Sequence, residues 1–296
     1  MKKFVIYSAV IGSYDSIHQP MVVDNNFDYI LFTDCITEKK IGVWDVRQID
    51  FFHPVSTKIA RYVKTHSHTL LNEYECSLWV DASIIITSNY IYQRIKELYL
   101  NQNLISAPYH PERDCIYDEA LAVMMYHLET EDVIINWLHQ LRHNHYPEHI
   151  GLHETGILYR IHCDEIARIN EDWWDIIESH SRRDQLSFDY LLWKNNMDCV
   201  ELFTPEHLIR NSEHVSLKPH ADNCKREVYP NASFPLLLLI SQRFPQYNEF
   251  VRNAYDKAFH SYHPRLVILY FIVLFYPQYL YKCVKRSIKN FLLLLK

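Results

Sequence analysis

LWVDASIIIT, residues 78–87, places a carboxylate in the middle of an otherwise apolar run. Aromatic and β-branched residues on both sides of Asp81 predict a buried strand. Burying an ionised carboxylate is costly unless the group is paired with a cation or bound to a metal. This stretch therefore indicates both the fold class, through its strand, and a functional position, through Asp81.

The rest of the chain alternates between strand-like and helix-like patterns. Strands are predicted at 4–10, 28–34, 154–161 and 200–209, with a short one near 104. Helices are predicted at 57–72, 90–100, 183–196 and from the loop at 104–120 to about 143. Such alternation indicates an α/β domain with a mostly parallel sheet flanked by helices. Pro230 and Pro235 mark a boundary, which predicts one domain over residues 1–232 and a helical tail over 233–296.

Composition excludes several classes of protein. The chain has only four glycines, and neither GxGxxG nor GxxxxGK[ST] occurs, which argues against dinucleotide and P-loop sites. Its seven cysteines form no CxxC pair, so neither a zinc ribbon nor a disulfide framework is indicated, and a reducing cytoplasm fits best. HQLRHNHYPEH, residues 139–149, is rich in histidine but has no Cys or carboxylate at fixed spacing, and we interpret it as a solvated helix end and loop.

The short N-terminal apolar run is interpreted as a first strand rather than a signal peptide.

Charge is distributed unevenly along the chain. The net charge is −6, yet seven Lys and Arg residues and no acid follow Asp256. The acidic body argues against nucleic acid as a partner. In the tail, the apolar run 266–276 is shorter than the ~20 residues of a spanning helix. After it, a basic face (Lys282, Lys285, Arg286, Lys289) and an apolar face (Ile288, Phe291, Leu292, Leu295) predict a helix lying in an anionic membrane interface. The alternative is a helix packed on the domain with solvated bases.

Asp81 ends a predicted strand, and open α/β sheets bind ligands at the carboxyl ends of their strands. A hard divalent cation such as Mn²⁺ or Mg²⁺ would be held there by Asp81 and Ser83, with substrate phosphates completing the shell. Glycosyltransferases of the GT-A type use such a pair to hold a nucleotide diphosphate. A third ligand is expected late in the domain, from His214 or His220, and we choose His220. The alternative is an aspartate that only turns the strand.

Other residues would complete a nucleotide-sugar donor site of this type. AVIGSYD (9–15) and LFTD (31–34) follow the first two strands, where a GT-A enzyme contacts base and ribose. Lys58 and Arg61 lie one helical turn apart on the helix that precedes the Asp81 strand, and they would contact the diphosphate. The alternative is that they belong to an ordinary solvated helix face. The predicted donor-binding residues are Val10, Ile11, Tyr14, Asp34, Lys58, Arg61, Asp81 and Ala82.

Seven stretches occur in order from about residue 5 to 196: YSAVIGSYD, LFTD, KIARYVKTHSH, LWVDASI, HPERDCIYDEA, ETGILYRIH and SRRDQLSFDYLLWK. Together they resemble a glycosyltransferase-like family long catalogued as a domain of unknown function. That family occurs in bacterial surface-polysaccharide clusters and in plant Golgi proteins tied to pectin and mucilage. HPERDCIYDEA and SRRDQLSFDYLLWK carry most of the specificity. The resemblance implies a GT-A-like fold and a nucleotide-sugar donor.

The resemblance also suggests roles around the donor sugar. Asp184 and Gln185 start a predicted helix and are similar to an Asp–Gln pair beneath the sugar of retaining GT-A enzymes, where a carboxylate stabilises an oxocarbenium-like transition state. In an inverting enzyme Asp184 would be the base, and a helix cap is the structural alternative. The residues that would line the donor-sugar or acceptor site are His110, Arg113, Glu119, Glu154 and Gly156. The alternative for each of them is a purely structural role.

The sequence therefore predicts a metal-assisted glycosyltransferase of hexosyltransferase type. Its expected acceptor is a cell-surface polysaccharide or a lipid-linked glycan, met at the inner face of the cytoplasmic membrane. Replacing Asp81 or Asp184 by Asn is expected to abolish transfer and leave the fold intact. The alternative is a non-catalytic nucleotide- or glycan-binding module, or a membrane-attached scaffold in polysaccharide assembly.

Overall fold

The computed structural model describes residues 2–12, 15–125, 128–204, 209 and 212–218. Nearly all of them belong to one compact unit, formed by residues 1–120 and 128–226. Tyr14, His220, the predicted boundary near residue 232 and the tail lie outside the described residues. No helix among the described residues combines the length and apolar character needed to cross a bilayer.

The described residues form ten strands and seven α-helices. The strands are β1 (Lys2–Val10), β2 (Phe27–Thr33), β3 (Lys40–Ile41), β4 (Trp44–Gln48), β5 (Tyr74–Val80), β6 (Ile84–Ile86), β7 (Ile105–Ala107), β8 (Ile157–Ile161), β9 (Val200–Glu201) and β10 (Val215–Leu217). The helices are α1 (Ser56–Thr65), α2 (Ser67–Leu70), α3 (Tyr90–Leu100), α4 (Ile116–Met125), α5 (Glu131–His143), α6 (Asp164–Ser179) and α7 (Gln185–Lys194).

Eight strands form one twisted sheet in the order β3-β4-β2-β1-β5-β8-β7-β9. The pairs β1–β2, β1–β5, β2–β4 and β7–β9 are parallel, whereas β3 and β8 run antiparallel to their neighbours. The predicted α/β class with a mostly parallel sheet is confirmed. Because β8 is reversed, its start lies beside the ends of β5 and β7. We call this side of the sheet the carboxyl edge.

Helices cover both faces of the sheet. On one face, α1, α6 and α7 pack together, and the Tyr7 hydroxyl of β1 donates to Lys64 O of α1 at 2.9 Å. On the other face, α3 contributes Tyr92 to an apolar core that includes Ile6, Tyr29 and Leu78. Side chains alternate along a strand, so neighbouring residues of β1 serve the two faces in turn.

The prediction of one strand over residues 78–87 is wrong. β5 ends at Val80, and the Ile84 N–H donates to Asp81 O at 2.8 Å, which closes a tight turn. β6 then leaves the main sheet and pairs with β10. The polar centre of the stretch explains the break, because Asp81 lies at the strand end with its side chain partly exposed rather than inside the core.

Other differences concern boundaries and missed elements. The helix predicted over 57–72 is divided at His66 into α1 and α2, and the helix predicted to run to about 143 is divided into α4 and α5. The short strands β3, β4 and β10 and the 16-residue helix α6 were not predicted.

The long connection after β1 is fixed to the β3–β4 hairpin by Gln19. Its amide donates to Ile41 O at 3.1 Å and accepts from Val43 N at 2.9 Å. Gly42 lies between these groups with a φ of 61°, and a Cβ on it would lie 2.2 Å from Gln19 Oε1. The hairpin therefore requires glycine here for both its conformation and its lack of a side chain.

Gly42→Ala is expected to cost more stability than Gly12→Ala, although the two glycines have nearly the same φ, 61° and 60°. Gly12 has open space around its Cβ direction, so only the left-handed conformation, about 1–2 kcal/mol, opposes alanine. Alanine at residue 42 must also displace Gln19 and its two hydrogen bonds, each worth about 0.5–1.5 kcal/mol. Urea unfolding of both variants measures the difference, and equal losses would contradict the proposed role of Gln19.

Candidate functional site

Asp81 is the first residue after β5 and lies at the carboxyl edge. Its Oδ1 accepts a hydrogen bond of 2.6 Å from Trp79 Nε1, and its side chain is 33% exposed. Its backbone N–H donates to Gly156 O at 2.8 Å, and a Cβ on Gly156 would lie only 3.4 Å from Asp81 Oδ2. Gly156 thus leaves room for a carboxylate that Trp79 orients and that solvent can reach.

A recess of about 260 Å³, including its open part, adjoins Asp81. It is lined by Ser8, Val10, Ile17, His18, Leu31, Trp44, Val80, Asp81, Ala82 and Ile84. Ser8 Oγ is buried and has no hydrogen-bond partner among the described residues. Apolar walls with a few polar groups are typical of small-molecule sites. Val10 and Ala82 were predicted here, whereas Ser8, His18 and Trp44 were not.

The predicted base- and ribose-contacting residues are held together by local hydrogen bonds. Asp34, exposed after β2, accepts from the Gly12 N–H at 2.8 Å, and Cys35 Sγ donates to Gly12 O at 3.1 Å. Ile11 is buried beside this contact. Asp34 therefore fixes the start of the loop after β1, next to the recess.

A buried charge cluster, composed of Arg61, Lys64, Thr155 and Asp184, lies on the opposite side of Asp81. The Lys64 ammonium is fully buried, hydrogen-bonds Asp184 Oδ2 and lies 3.9 Å from Asp81 Oδ1. Arg61 Nε lies 3.1 Å from Asp184 Oδ1, and Thr155 donates to Asp184 Oδ2 at 2.9 Å. Lys64 thus connects the two acids that the sequence singled out.

The cluster determines the charge of Asp184. Burial alone raises the pKa of its carboxyl, but Arg61 and Lys64 outweigh burial and hold that pKa well below its usual range. Asp184 is therefore ionised at neutral pH and is a weak proton acceptor. It occupies the N-cap position of α7, yet its side chain makes no capping hydrogen bond there. A capping role does not account for this residue.

Two neighbours of the cluster differ in their contacts. Gln185, the first residue of α7, has a buried Nε2 with no hydrogen-bond partner in the described part of the chain. Lys58 Nζ instead donates to Glu178 O at 2.6 Å, near the end of α6, where a cation suits the helix dipole. The structure unites Arg61 with Asp184 but directs Lys58 to α6.

The predicted sugar or acceptor wall forms its own network. Arg113 Nε donates to Glu119 Oε2 at 2.7 Å, and His110 Nδ1 accepts the Arg113 N–H at 3.0 Å. Backbone hydrogen bonds of 2.8 Å join His110 to Leu152 and Glu154 to Pro108. These contacts hold the loop after β7 against the segment that precedes β8.

A buried pair that sequence reasoning missed supports the same segment. His153 Nδ1 lies 2.5 Å from Asp189 Oδ1, and the His153 N–H donates to Asp189 Oδ2 at 2.9 Å. Burial alone lowers the pKa of His153, but the hydrogen bonds and charges of Asp189 and Cys199 together raise it to about 11. The segment carrying Thr155 and Gly156 is thereby anchored to α7 by a charged pair.

This pair predicts a pH dependence of stability. Because the pKa of His153 is raised, its contribution is complete below the unfolded value of about 6.5 and is lost as pH rises towards about 11. The wild type is expected to lose up to about 1.4 kcal/mol per pH unit in this window relative to His153→Gln. Urea unfolding from pH 6 to 10 measures both slopes. Parallel curves would show that His153 is not charged in the folded protein.

Of the remaining predicted metal ligands, Ser83 belongs to the Asp81 turn, whereas His214 lies at the other end of β6, where its carbonyl accepts from the Thr87 N–H at 2.9 Å. Ser83 follows Asp81 by two residues, and its carbonyl accepts from the Lys218 N–H at 2.7 Å. His214 stacks on Tyr90 at 4.2 Å and hydrogen-bonds Ser88, so its ring is held against α3. One partly exposed carboxylate with a neighbouring hydroxyl fits Mn²⁺ or Mg²⁺, which bind through one or two carboxylates and substrate phosphates.

The comparison with protein families agrees with the motifs. A family model described as TOD1/MUCI70, glycosyltransferase-like domain, matches residues 1–214. No curated protein shows a significant match. Among solved structures, the apo WbbM bifunctional glycosyltransferase is 9% identical with a TM-score of 0.43, covering 70% of this chain and 39% of its own. Core-mannan synthase A from Aspergillus fumigatus, in its Mn/GDP form, is 9% identical with a TM-score of 0.37, covering 65% of this chain and 70% of its own.

The chain spans well under half the length of the WbbM chain that it resembles. The family model, in contrast, covers most of this chain and contains every stretch on which the sequence resemblance was based. That resemblance is confirmed, and the mostly parallel sheet flanked by helices is the GT-A-like architecture it implied. The chain belongs to the TOD1/MUCI70 family of glycosyltransferase-like domains.

Proposed function

We propose that this domain transfers a sugar from a nucleoside-diphosphate donor to a glycan acceptor with the help of a divalent cation. One observation carries the proposal. Asp81 lies at the carboxyl edge between an apolar recess and a buried cluster that contains two cations. A nucleotide sugar needs those three environments side by side: an apolar wall for the base, a carboxylate for the metal on the diphosphate, and fixed charges near the sugar.

The recess is the proposed place for the nucleoside. Trp44 provides an aromatic wall, and Ser8 Oγ offers an unused hydroxyl. His18 is held at the rim because its carbonyl accepts from Trp44 Nε1 at 2.8 Å. The predicted donor residues Val10, Ile11, Asp34 and Ala82 lie in or beside this recess, which supports their assignment, and Tyr14 stays a proposal from the sequence.

Asp81 and Ser83 are the proposed protein ligands of Mn²⁺ or Mg²⁺, with His220 as the proposed third ligand. When bound, the ion would supply positive charge to the diphosphate leaving group. Lys64, 3.9 Å from Asp81 Oδ1, contributes a further fixed positive charge to the same region. In a site closed to water, such preorganised charge lowers the barrier to departure of an anionic leaving group.

Asp184 and Gln185 are the proposed catalytic residues beneath the donor sugar. The low pKa of Asp184 makes it a poor base, which favours a role as a fixed negative charge over deprotonation of the acceptor. Gln185 Nε2, buried without a partner among the described residues, could donate to a sugar hydroxyl. This combination supports stabilisation of an oxocarbenium-like transition state, as proposed for retaining transfer.

The proposed acceptor is a cell-surface polysaccharide or lipid-linked glycan. His110, Arg113, Glu119, Glu154 and Gly156 would form the sugar and acceptor wall, since their networks hold two loops together beside Asp81. We further propose that residues 233–296 dock the domain on the anionic inner face of the cytoplasmic membrane, through the basic face of the tail.

Release of a nucleoside diphosphate tests the proposal. The full-length protein is incubated with a panel of nucleotide sugars, with Mn²⁺, with Mg²⁺ or with chelator. We expect metal-dependent release from one donor class that is lost in Asp81→Asn. Asp45→Asn is a matched control, because Asp45 is an exposed carboxylate on β4 whose ion pair with Lys40 is also exposed. Release that survives in Asp81→Asn would contradict the assignment.

A non-catalytic binding module is the second candidate. Asp81 is the only acid in DAS, and the nearby Lys64 ammonium already offsets part of its charge. A module of this kind would bind a nucleotide without metal and would release no nucleoside diphosphate from any donor. The same assay, combined with a binding measurement, separates the two functions.

A further inference from the structure

A second group of metal-binding side chains lies outside the residues assigned to the candidate site. Cys115 directly precedes α4, Asp118 lies in its first turn, and His149 belongs to the loop between α5 and β8. One ligand atom from each of these residues lies within 4.8 Å of the other two. Cys115 is buried, whereas His149 is exposed, so an ion could enter from solvent.

The protein holds the His149 loop in place by contacts that need no metal. The Gly151 N–H donates to Asp114 O at 3.0 Å, and the Tyr117 hydroxyl donates to Tyr146 O at 2.8 Å. The Arg142 guanidinium stacks over the Tyr117 ring at 4.0 Å. The loop is thus fixed against the start of α4 on both sides of His149, which preorganises this ligand relative to Cys115 and Asp118.

The orientation of the imidazole is also determined. His149 Nδ1 lies 2.7 Å from Asp114 Oδ1, which leaves Nε2 as the nitrogen available to bind an ion. Metal-binding histidines commonly hydrogen-bond a carboxylate through their other ring nitrogen, which fixes the tautomer and raises the basicity of the ligand. Asp114 would have this supporting role here.

We propose that Cys115, Asp118 and His149 bind a borderline divalent cation, with Zn²⁺ as the preferred ion and water in the fourth position. Thiolate with imidazole suits Zn²⁺, whereas Mg²⁺ and Mn²⁺ prefer oxygen ligands. Bond lengths of about 2.0–2.3 Å separate the ligand atoms of a tetrahedral site by about 3.3–3.8 Å. Two ligand atoms at the 4.8 Å limit would approach by about 1–1.5 Å on binding, a change within reach of side-chain rotation.

Sequence spacing could not reveal this site. HQLRHNHYPEH lacks a Cys or carboxylate at fixed spacing, because both come from the start of α4, more than thirty residues earlier. The ion would brace the loop after β7 against the segment before β8, whose backbones already pair at His110 and Leu152. The site differs in ligand chemistry from the oxygen-rich site proposed at Asp81.

Cobalt titration tests the proposal. The full-length protein, without a polyhistidine tag, is stripped of metal and titrated with Co²⁺. We expect one equivalent to produce the visible bands of four-coordinate cobalt and a near-ultraviolet thiolate-to-cobalt band, and one equivalent of Zn²⁺ to remove both. The thiolate band should disappear in Cys115→Ser and weaken strongly in His149→Asn.

Two control variants should keep the spectrum. His145→Asn removes an exposed histidine from the same loop at nearly the same φ, 58° against 56° for His149, and asparagine tolerates this conformation. Asp81→Asn alters only the other proposed metal site. Absence of the thiolate band at one equivalent, or its persistence in Cys115→Ser, would overturn the proposal. Neither outcome depends on transfer activity, so the test is independent of the proposed function.

Discussion

Asp184→Asn is expected to lower the free energy of unfolding by about 3–5 kcal/mol, in addition to abolishing transfer. The substitution leaves the Lys64 ammonium buried without its hydrogen-bonded anion, and removing one partner of a buried ion pair is strongly destabilising. The sequence alone predicted an intact fold for this variant. The burial of the pair changes that expectation, and urea unfolding at pH 7 measures the loss.

The double variant Lys64→Met/Asp184→Asn separates stability from chemistry. Replacing both charges removes the unpaired ammonium, so much of the lost stability should return. Transfer should stay absent, because both fixed charges next to Asp81 are gone. An Asp184→Asn protein that unfolds within about 0.5 kcal/mol of the wild type, the range of ordinary surface substitutions, would show that the pair is not buried as described.

The loss of stability at low pH provides an independent check of the Lys64–Asp184 ion pair. A carboxyl whose pKa is lowered on folding contributes stability above its unfolded pKa, about 3.9, and loses that contribution as pH falls towards the folded value. The wild type should therefore lose more stability than the double variant as pH is lowered from about 5 to about 3, a range that spans the unfolded pKa of the carboxyl. Equal losses would mean that Asp184 titrates normally.

Asp81→Asn is expected to abolish metal-dependent transfer with little change in stability. Asparagine has the same shape and can still accept from Trp79 Nε1 through its amide oxygen. The Lys64 contact at 3.9 Å is longer than that to Asp184, and the Asp81 side chain is partly exposed. We expect a loss of about 100-fold or more in kcat/KM, which corresponds to about 3 kcal/mol of transition-state stabilisation.

The Asp81→Asn result is interpreted against Asp45→Asn and against chelator. The control variant should keep both activity and stability, because its carboxylate lies exposed on β4. Any residual activity of Asp81→Asn should no longer respond to Mn²⁺. Activity reduced less than tenfold, with an unchanged response to the ion, would remove Asp81 from the metal site.

Local patterns in the sequence predicted the sheet and the position of Asp81. The alternation of β-branched runs with helical periodicity indicated β1, β2, β5 and β8, because burial on both faces of a central strand demands apolar residues. The missed helix α6 had a usable signal: acids in its first turn, and Ile166, Ile169, Trp173 and Ile177 along one face. β3 and β4 are short and partly exposed, so their sequences differ little from the sequences of loops.

The charge cluster could not be predicted from one sequence. Lys64 and Asp184 meet across 120 residues, and no local pattern reports such a contact. Lys64 also follows Val63 on α1, where a lysine normally indicates the solvated face, yet it is fully buried. The same limit applies to His153 and Asp189, which are separated by 36 residues.

Thermal unfolding of the full-length protein with a panel of nucleoside diphosphates shows whether Asp81 holds a metal-assisted donor site. A ligand that binds only the folded state must stabilise it, by about 2.7 kcal/mol at a hundredfold excess over Kd. We expect one nucleotide to raise Tm in the presence of Mn²⁺, and we expect the rise to disappear with chelator and in Asp81→Asn. No rise with any nucleotide, or an equal rise in Asp81→Asn, would contradict a metal-assisted donor site at Asp81.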